Sequence, residues 1–136
     1  MRYVLDTNVV SHAMKGAAGV LARMRRAGRS EIGLPQPVVA ELAYGIARLP
    51  RSRRKVLLKE RLEWLCAELP RVVWTDAVSE SFAQIKAGLE RRGERIEDFD
   101  LAIAAHALAH GAVLVTADRR HMPRIPGLVV EDWAAG

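Results

Sequence analysis

Four acidic residues, widely separated in the chain, carry the chemistry: Asp6, Glu41, Asp100 and Asp118. Asp6 closes the apolar run Tyr3-Val4-Leu5, and Asp118 follows the apolar run Ala112 to Thr116. Glu41 falls in the first turns of a helix opened by Pro35-Gln36-Pro37, and Asp100 in the first turn of the Ala-rich stretch that follows it. Each has an ordinary alternative. Asp6 suits a helix N-cap, Asp100 favours a helix N-terminus through the dipole, Asp118 suits a turn, and Glu41 suits a solvated helix face. Brought together in a cleft, however, the four would repel strongly unless something neutralised them. Oxygen donors of this kind select hard divalent cations, Mg²⁺ or Mn²⁺. The histidines at 12, 106, 110 and 121 have no metal-ligand spacing with Cys66, so no zinc site competes.

The elements that must position these acids alternate between strand and helix. Arg2 to Leu5 reads as a short buried strand, with Asp6-Thr7-Asn8 as capping residues for a helix over about Val9 to Met14. Ala17 to Arg26 reads as a second helix, Ile32 to Leu34 as a strand, and Pro35-Gln36-Pro37 as the start of a helix with Val38, Leu42 and Ile46 inward. Ser52 to Glu68 is amphipathic, with Leu58, Leu62 and Leu65 on its inner face. Val72 to Trp74 is predicted as a strand, and Thr75 as the cap of a helix from Asp76 to about Arg92. Asp98 is the expected cap of the Ala-rich helix, which is apolar nearly all round and therefore expected to be buried. Ala112 to Thr116 and Leu128 to Val130 read as the last strands. This order predicts an α/β fold, a three-layer sandwich with a mostly parallel central sheet flanked by helices. In such sheets a site forms outside the carboxyl ends of the strands, which is where Asp6 and Asp118 fall.

The bulk composition bounds the rest. The chain has 136 residues, half of them hydrophobic and 5% aromatic, which suits one domain over residues 1–136 with a core of Ala, Val, Leu and Ile. No run of apolar residues is long enough for a membrane span, the opening residues lack a secretory signal, and one cysteine excludes an internal disulfide framework. Together these lead to the expectation of a cytoplasmic protein. The net charge of +5 favours nucleic acid or an acidic partner.

The residues around the acids resemble a known family. Tyr3-Val4-Leu5-Asp6-Thr7-Asn8-Val9-Val10, Val39-Ala40-Glu41-Leu42-Ala43-Tyr44-Gly45, Asp98-Phe99-Asp100-Leu101-Ala102-Ile103-Ala104-Ala105-His106-Ala107 and Leu114-Val115-Thr116-Ala117-Asp118 stand in the order found in PIN-domain proteins. They resemble in particular the VapC-type toxins of toxin–antitoxin pairs, and Ile125-Pro126-Gly127-Leu128 and Glu131-Asp132-Trp133 complete the likeness. The resemblance implies a metal-dependent endoribonuclease, dimeric and inhibited by a cognate antitoxin, acting on transfer, ribosomal or messenger RNA. By position, Asp6, Glu41, Asp100 and Asp118 match the family's acidic quartet, with Asp6 and Asp100 as direct metal ligands. Thr116 matches a Thr/Ser that orients the site, and Asn8 a frequent Asn near it. His121-Met122 departs from the acidic-aromatic pair that relatives often carry.

The chemistry implied is hydrolysis of a phosphodiester by a metal-activated water. Arg119, Arg120 and Arg124 are candidate phosphate contacts, and Arg48, Arg51, Arg53, Arg54 and Lys55 form a denser basic patch for RNA or for acidic antitoxin residues. His106, Cys66, Trp64, Trp74 and Trp133 read as packing residues, and His12 as a surface histidine. Two alternatives remain beside the ribonuclease: a non-enzymatic binding module of the same fold, and a nuclease directed at DNA.

Overall fold

The computed structural model describes residues 1–134. Its five strands are β1 (Tyr3–Leu5), β2 (Ile32–Pro35), β3 (Arg71–Val72), β4 (Val113–Val115) and β5 (Val130–Glu131). They form one parallel sheet in the order β3-β2-β1-β4-β5. Six helices surround it: α1 (Thr7–Met14), α2 (Ala18–Ala27), α3 (Gln36–Ala47), α4 (Arg53–Glu68), α5 (Asp76–Arg91) and α6 (Asp98–Ala109). The predicted α/β sandwich is the observed fold, and the sheet is parallel throughout. Among the described residues, no helix is long and apolar enough to cross a membrane.

The central strands are buried on both faces, which is why β1, β2 and β4 read as apolar runs without alternation. Val4, Leu5, Leu34, Leu114 and Val115 are fully inaccessible. Helix α6 is the buried helix its composition requires. Leu101 through Ala107 are all buried, and small alanines let it pack closely on β1, β4, α3 and α5. Trp133 fastens the chain's end: it meets the Tyr3 ring edge-on at 5.1 Å, lies beneath Arg23, and donates from Nε1 to Glu131 Oε1 at 3.0 Å.

Several boundaries differ from those predicted, each for a local reason. Strand β3 covers Arg71–Val72 rather than Val72–Trp74, because its partner β2 turns into α3 after Pro35 and offers no further backbone. Val73 and Trp74 are consequently exposed. Strand β5 is Val130–Glu131 rather than Leu128–Val130, since the Leu128 amide closes a turn onto Ile125. Asp98 does not cap α6; Glu97 occupies that position without a side-chain bond, and Asp98 instead pairs with Lys86 at 3.0 Å. Trp64 is 59% exposed rather than packed, because Leu62 and Leu65 turn the inner face of α4 away from it.

Gly33 shows how tightly the sheet is filled. A Cβ there would collide with the Met1 side chain and stand 2.5 Å from Val72 Cγ2. Met1 can yield, but Val72 is held in the core. Gly33→Ala is therefore expected to cost about 1–3 kcal/mol by overpacking, read as a melting temperature lowered by several degrees in thermal unfolding.

Candidate active site

The sheet order reverses direction between β1 and β4, and a crevice at such a switch point is where open α/β sheets bind ligands. Asp6 directly follows β1, and Thr116 directly follows β4. The Asp6 amide still belongs to the sheet, donating to the Val115 carbonyl at 2.9 Å. Its side chain is 3% exposed and caps α1, accepting from the Thr7 amide at Oδ1 (2.8 Å) and from the Thr116 hydroxyl at Oδ2 (2.7 Å). Thus the cap reading and the site reading of Asp6 are compatible: the capping carboxylate also stands at the sheet's switch point.

Thr116 joins two of the acids. While its hydroxyl donates to Asp6, its Oγ1 accepts from the Asp118 amide at 2.9 Å. Asn8 fixes the same loop, its Oδ1 accepting from the Ala117 amide at 3.2 Å. Thr7 links a third acid, donating from its hydroxyl to Glu41 Oε1 at 2.6 Å and so tying α1 to α3. A continuous hydrogen-bonded path therefore runs from Glu41 through Thr7, Asp6 and Thr116 to the backbone of Asp118. Asp100 joins by charge: it is half-buried at the start of α6, in the field of Asp6, Glu41, Glu97 and Asp118.

The electrostatics follow from this crowding. Burial, and then the charges of Asp6, Glu41, Glu97 and Asp118, push the Asp100 carboxyl up to about 6. Burial raises Asp6 as well, with the charge of Asp118 adding to it, and the bonds from Thr116 and Thr7 only partly offset the rise. Asp118 goes the other way. Burial would raise it, but the amides of His121 and Arg120 and the His121 ring hold it below the usual carboxylate range.

Among the described residues, no three His, Cys, Asp or Glu side chains stand close enough to form a ready ligand cage. Three of the four acids face protein donors: Asp6 faces Thr7 and Thr116, Glu41 faces Thr7, and Asp118 faces Arg120 and His121. The donor set fits a hard divalent cation in type, being all carboxylate oxygen, and burial together with the charges of its acidic neighbours raises the Asp100 carboxyl.

The basic residues divide. Arg119 pairs with Asp132 at 3.1 Å, whereas Arg120 and Arg124 are exposed. Lys55 leaves the basic patch, because its ammonium donates to the carbonyls of Ala47 and Leu49 and closes the end of α3. His106 is a core residue: burial depresses its pKa, its Nδ1 bonds the Ala102 carbonyl at 2.6 Å, and Trp74 meets it edge-on. Sequence reasoning did not single out Thr7, Glu97 or the Asp118–His121 contact. Thr7 and Glu41 are 34 residues apart, and no local pattern connects them.

Residues 3–128 match the PIN domain family. The chain is similar to the ribonuclease VapC2 of Rickettsia felis, with 30% identity and 98% of each chain covered. It is 29% identical to the tRNA(fMet)-specific endonuclease VapC of Salmonella typhimurium, again over 98% of each chain. Its fold superposes on the solved structure of DNA-bound VapBC from Salmonella typhimurium with a TM-score of 0.89, 28% identity and 98% of each chain covered.

Proposed function

We propose, since this chain belongs to the PIN-domain family, that it is a divalent-metal-dependent endoribonuclease and the toxin of a toxin–antitoxin pair. Its substrate is cellular RNA, and it works in the cytoplasm as a homodimer that a cognate antitoxin silences. One observation carries the catalytic reading. Acids from four separate segments of the chain share one field at the sheet's switch point, three of them threaded on Thr7 and Thr116. A structural role would not need so costly a concentration of charge. The relatives named above as a ribonuclease and a tRNA endonuclease support RNA as the substrate, and the VapBC structure supports the antitoxin partner.

In this mechanism Asp6 and Asp100 would hold a Mg²⁺ or Mn²⁺ ion, with Glu41 and Asp118 as the further oxygen donors around it. The ion, when bound, lowers the pKa of water and offsets charge on the phosphate. The chain's own residues do the positioning. Thr116 and the Thr7 amide fix both oxygens of Asp6, so the carboxylate presents one orientation. Thr7 aims Glu41 across from α3, and Asn8 holds the loop that carries Asp118. Burial of Asp6 keeps bulk water from screening its charge, while Glu41, Asp100 and Asp118 stay partly open to the substrate side. Arg120 and Arg124 are exposed beside this loop to meet phosphates.

The test is cleavage of total RNA by the purified chain. Cuts are expected with Mg²⁺ or Mn²⁺ and none in EDTA, with activity returning when the metal is restored. Cutting that continues undiminished in EDTA would overturn the metal-dependent mechanism.

A further inference from the structure

Running outward from Glu41, one face of α3 carries three residues the fold does not explain. Tyr44, Gly45 and Arg48 follow Glu41 at i+3, i+4 and i+7, a spacing that stacks them on the side of the helix that bears the acid. Tyr44 is 67% exposed, and its hydroxyl has no hydrogen-bond partner among the described residues. The Arg48 guanidinium stands 5.9 Å from the centre of the Tyr44 ring, and no carboxylate pairs with it among the described residues. Gly45 lies between them in the helix interior, where glycine is the least favourable residue after proline. Neither crowding nor backbone geometry demands it. Apart from its chain neighbours and the backbone of its own helix, a Cβ at Gly45 would meet no heavy atom within 4 Å, and its φ is not in the positive range.

A bare stretch of helix beside an exposed aromatic ring and an unpaired cation has the shape and charge of a nucleotide site. Stacking a planar base on an aromatic side chain while an arginine meets its phosphate is a general solution for single strands. We propose that this face of α3 is a nucleotide subsite in which a base of single-stranded RNA stacks on Tyr44. The base lies over the open backbone at Gly45, and Arg48 holds the phosphate of that nucleotide. The basic charge continues at Arg51, Arg53 and Arg54 beyond the end of α3, which suits a polyanionic strand leaving the acids. The subsite rests on the ribonuclease reading and adds to it where the substrate lies.

The experiment uses a fluorescein-labelled, mixed-sequence single-stranded RNA. Its binding is followed by anisotropy in the full chain carrying Asp100→Asn, so that the probe is not cut. Adding Tyr44→Ala or Arg48→Ala is expected to weaken binding about tenfold, while Tyr44→Trp retains it. Gly45→Ala is the sharpest arm. It is expected to raise the melting temperature, because alanine favours the helix, and yet to weaken RNA binding by filling the notch. A purely structural role for Gly45 predicts no loss of binding. Unchanged affinity in the Tyr44→Ala and Gly45→Ala forms would overturn the subsite. So would a fall in oligomer mass on sedimentation without loss of RNA affinity, which would assign the face to a second copy of the chain. Failure of the wild-type chain to cut RNA with metal present would instead strike the ribonuclease reading, and Tyr44-dependent anisotropy would still report the subsite.

Discussion

Asp100→Asn is expected to lower RNA cleavage by about a thousandfold, the size of effect that loss of metal-borne charge stabilisation implies. It is also expected to raise the melting temperature of the metal-free protein. The two effects share one cause. The Asp100 carboxyl titrates near 6 in the fold against an ordinary 3.8, so its ionised form is disfavoured there. A folded-state pKa above the unfolded one means the native state binds more protons between the two values. Stability from this group is therefore greatest below about 4, declines as pH rises toward about 6, and is flat above. Asparagine has no charge to lose. Its advantage over wild type should emerge above pH 4 and be complete above 6, on the order of 1 kcal/mol once screening at a half-buried position is allowed for. Thermal unfolding of both proteins in EDTA across that range checks the sign. A variant that is less stable than wild type at pH 7 would mean that favourable contacts hold ionised Asp100 against burial and the field of its neighbours. Added Mg²⁺ should reverse the order, because an ion that binds only the native wild-type site stabilises it by mass action.

The fold was legible wherever a residue's fate is set by its own segment. The apolar runs of β1, β2 and β4, the proline-opened α3, Thr75 as the cap of α5 and the buried α6 all follow from local pattern, and each is observed. Sequence misjudged the elements whose extent is set by a partner. β3 stops because β2 turns away, and β5 starts late because a turn occupies Leu128. Asp98 had a cap's composition but a distant lysine, Lys86, drew it off.

The same division runs through the site. That Asp6 and Asp118 fall past strand ends at one edge of the sheet was readable from the alternation of elements, since parallel strands deliver their C-terminal residues to one edge; that their two strands adjoin was not. That the Thr116 hydroxyl joins Asp6 to Asp118 was not, because it depends on which way a loop turns after β4. Nor was the role of Thr7. As a residue type it signals a helix start, and only the packing of α1 against α3 brings Glu41 to its hydroxyl. That Asp6, Glu41 and Asp118 each face a protein donor is likewise a product of the fold's local donors rather than of the sequence motif.

Thr116 provides the second large effect, since its hydroxyl is the joint on which Asp6 and Asp118 both depend. Thr116→Val keeps the shape and removes the oxygen. Asp6 Oδ2 then loses its donor at a position 3% exposed, and the Asp118 amide loses its acceptor. Leaving buried polar groups unpaired costs about 1–3 kcal/mol, and misorienting a ligand lowers metal affinity or activity by about ten- to a hundredfold. Thr116→Ser, which keeps the hydroxyl, should hold most of both. The cycle with Asp6→Asn tells a positioning role from a merely structural one. Asparagine can still accept from the Thr7 amide at its oxygen while its amide group faces Thr116 Oγ1, so this variant should fold. Its cleavage should nonetheless fall by about a thousandfold, as expected for a lost metal ligand. If Thr116 acts by orienting Asp6, the double variant Asp6→Asn/Thr116→Val should cleave no worse than Asp6→Asn alone, because there is no longer a ligand to orient. If the two losses instead multiply, Thr116 supports the reaction by some route other than Asp6. Cleavage rates of the four proteins at saturating Mn²⁺, with melting temperatures to confirm folding, decide between these outcomes.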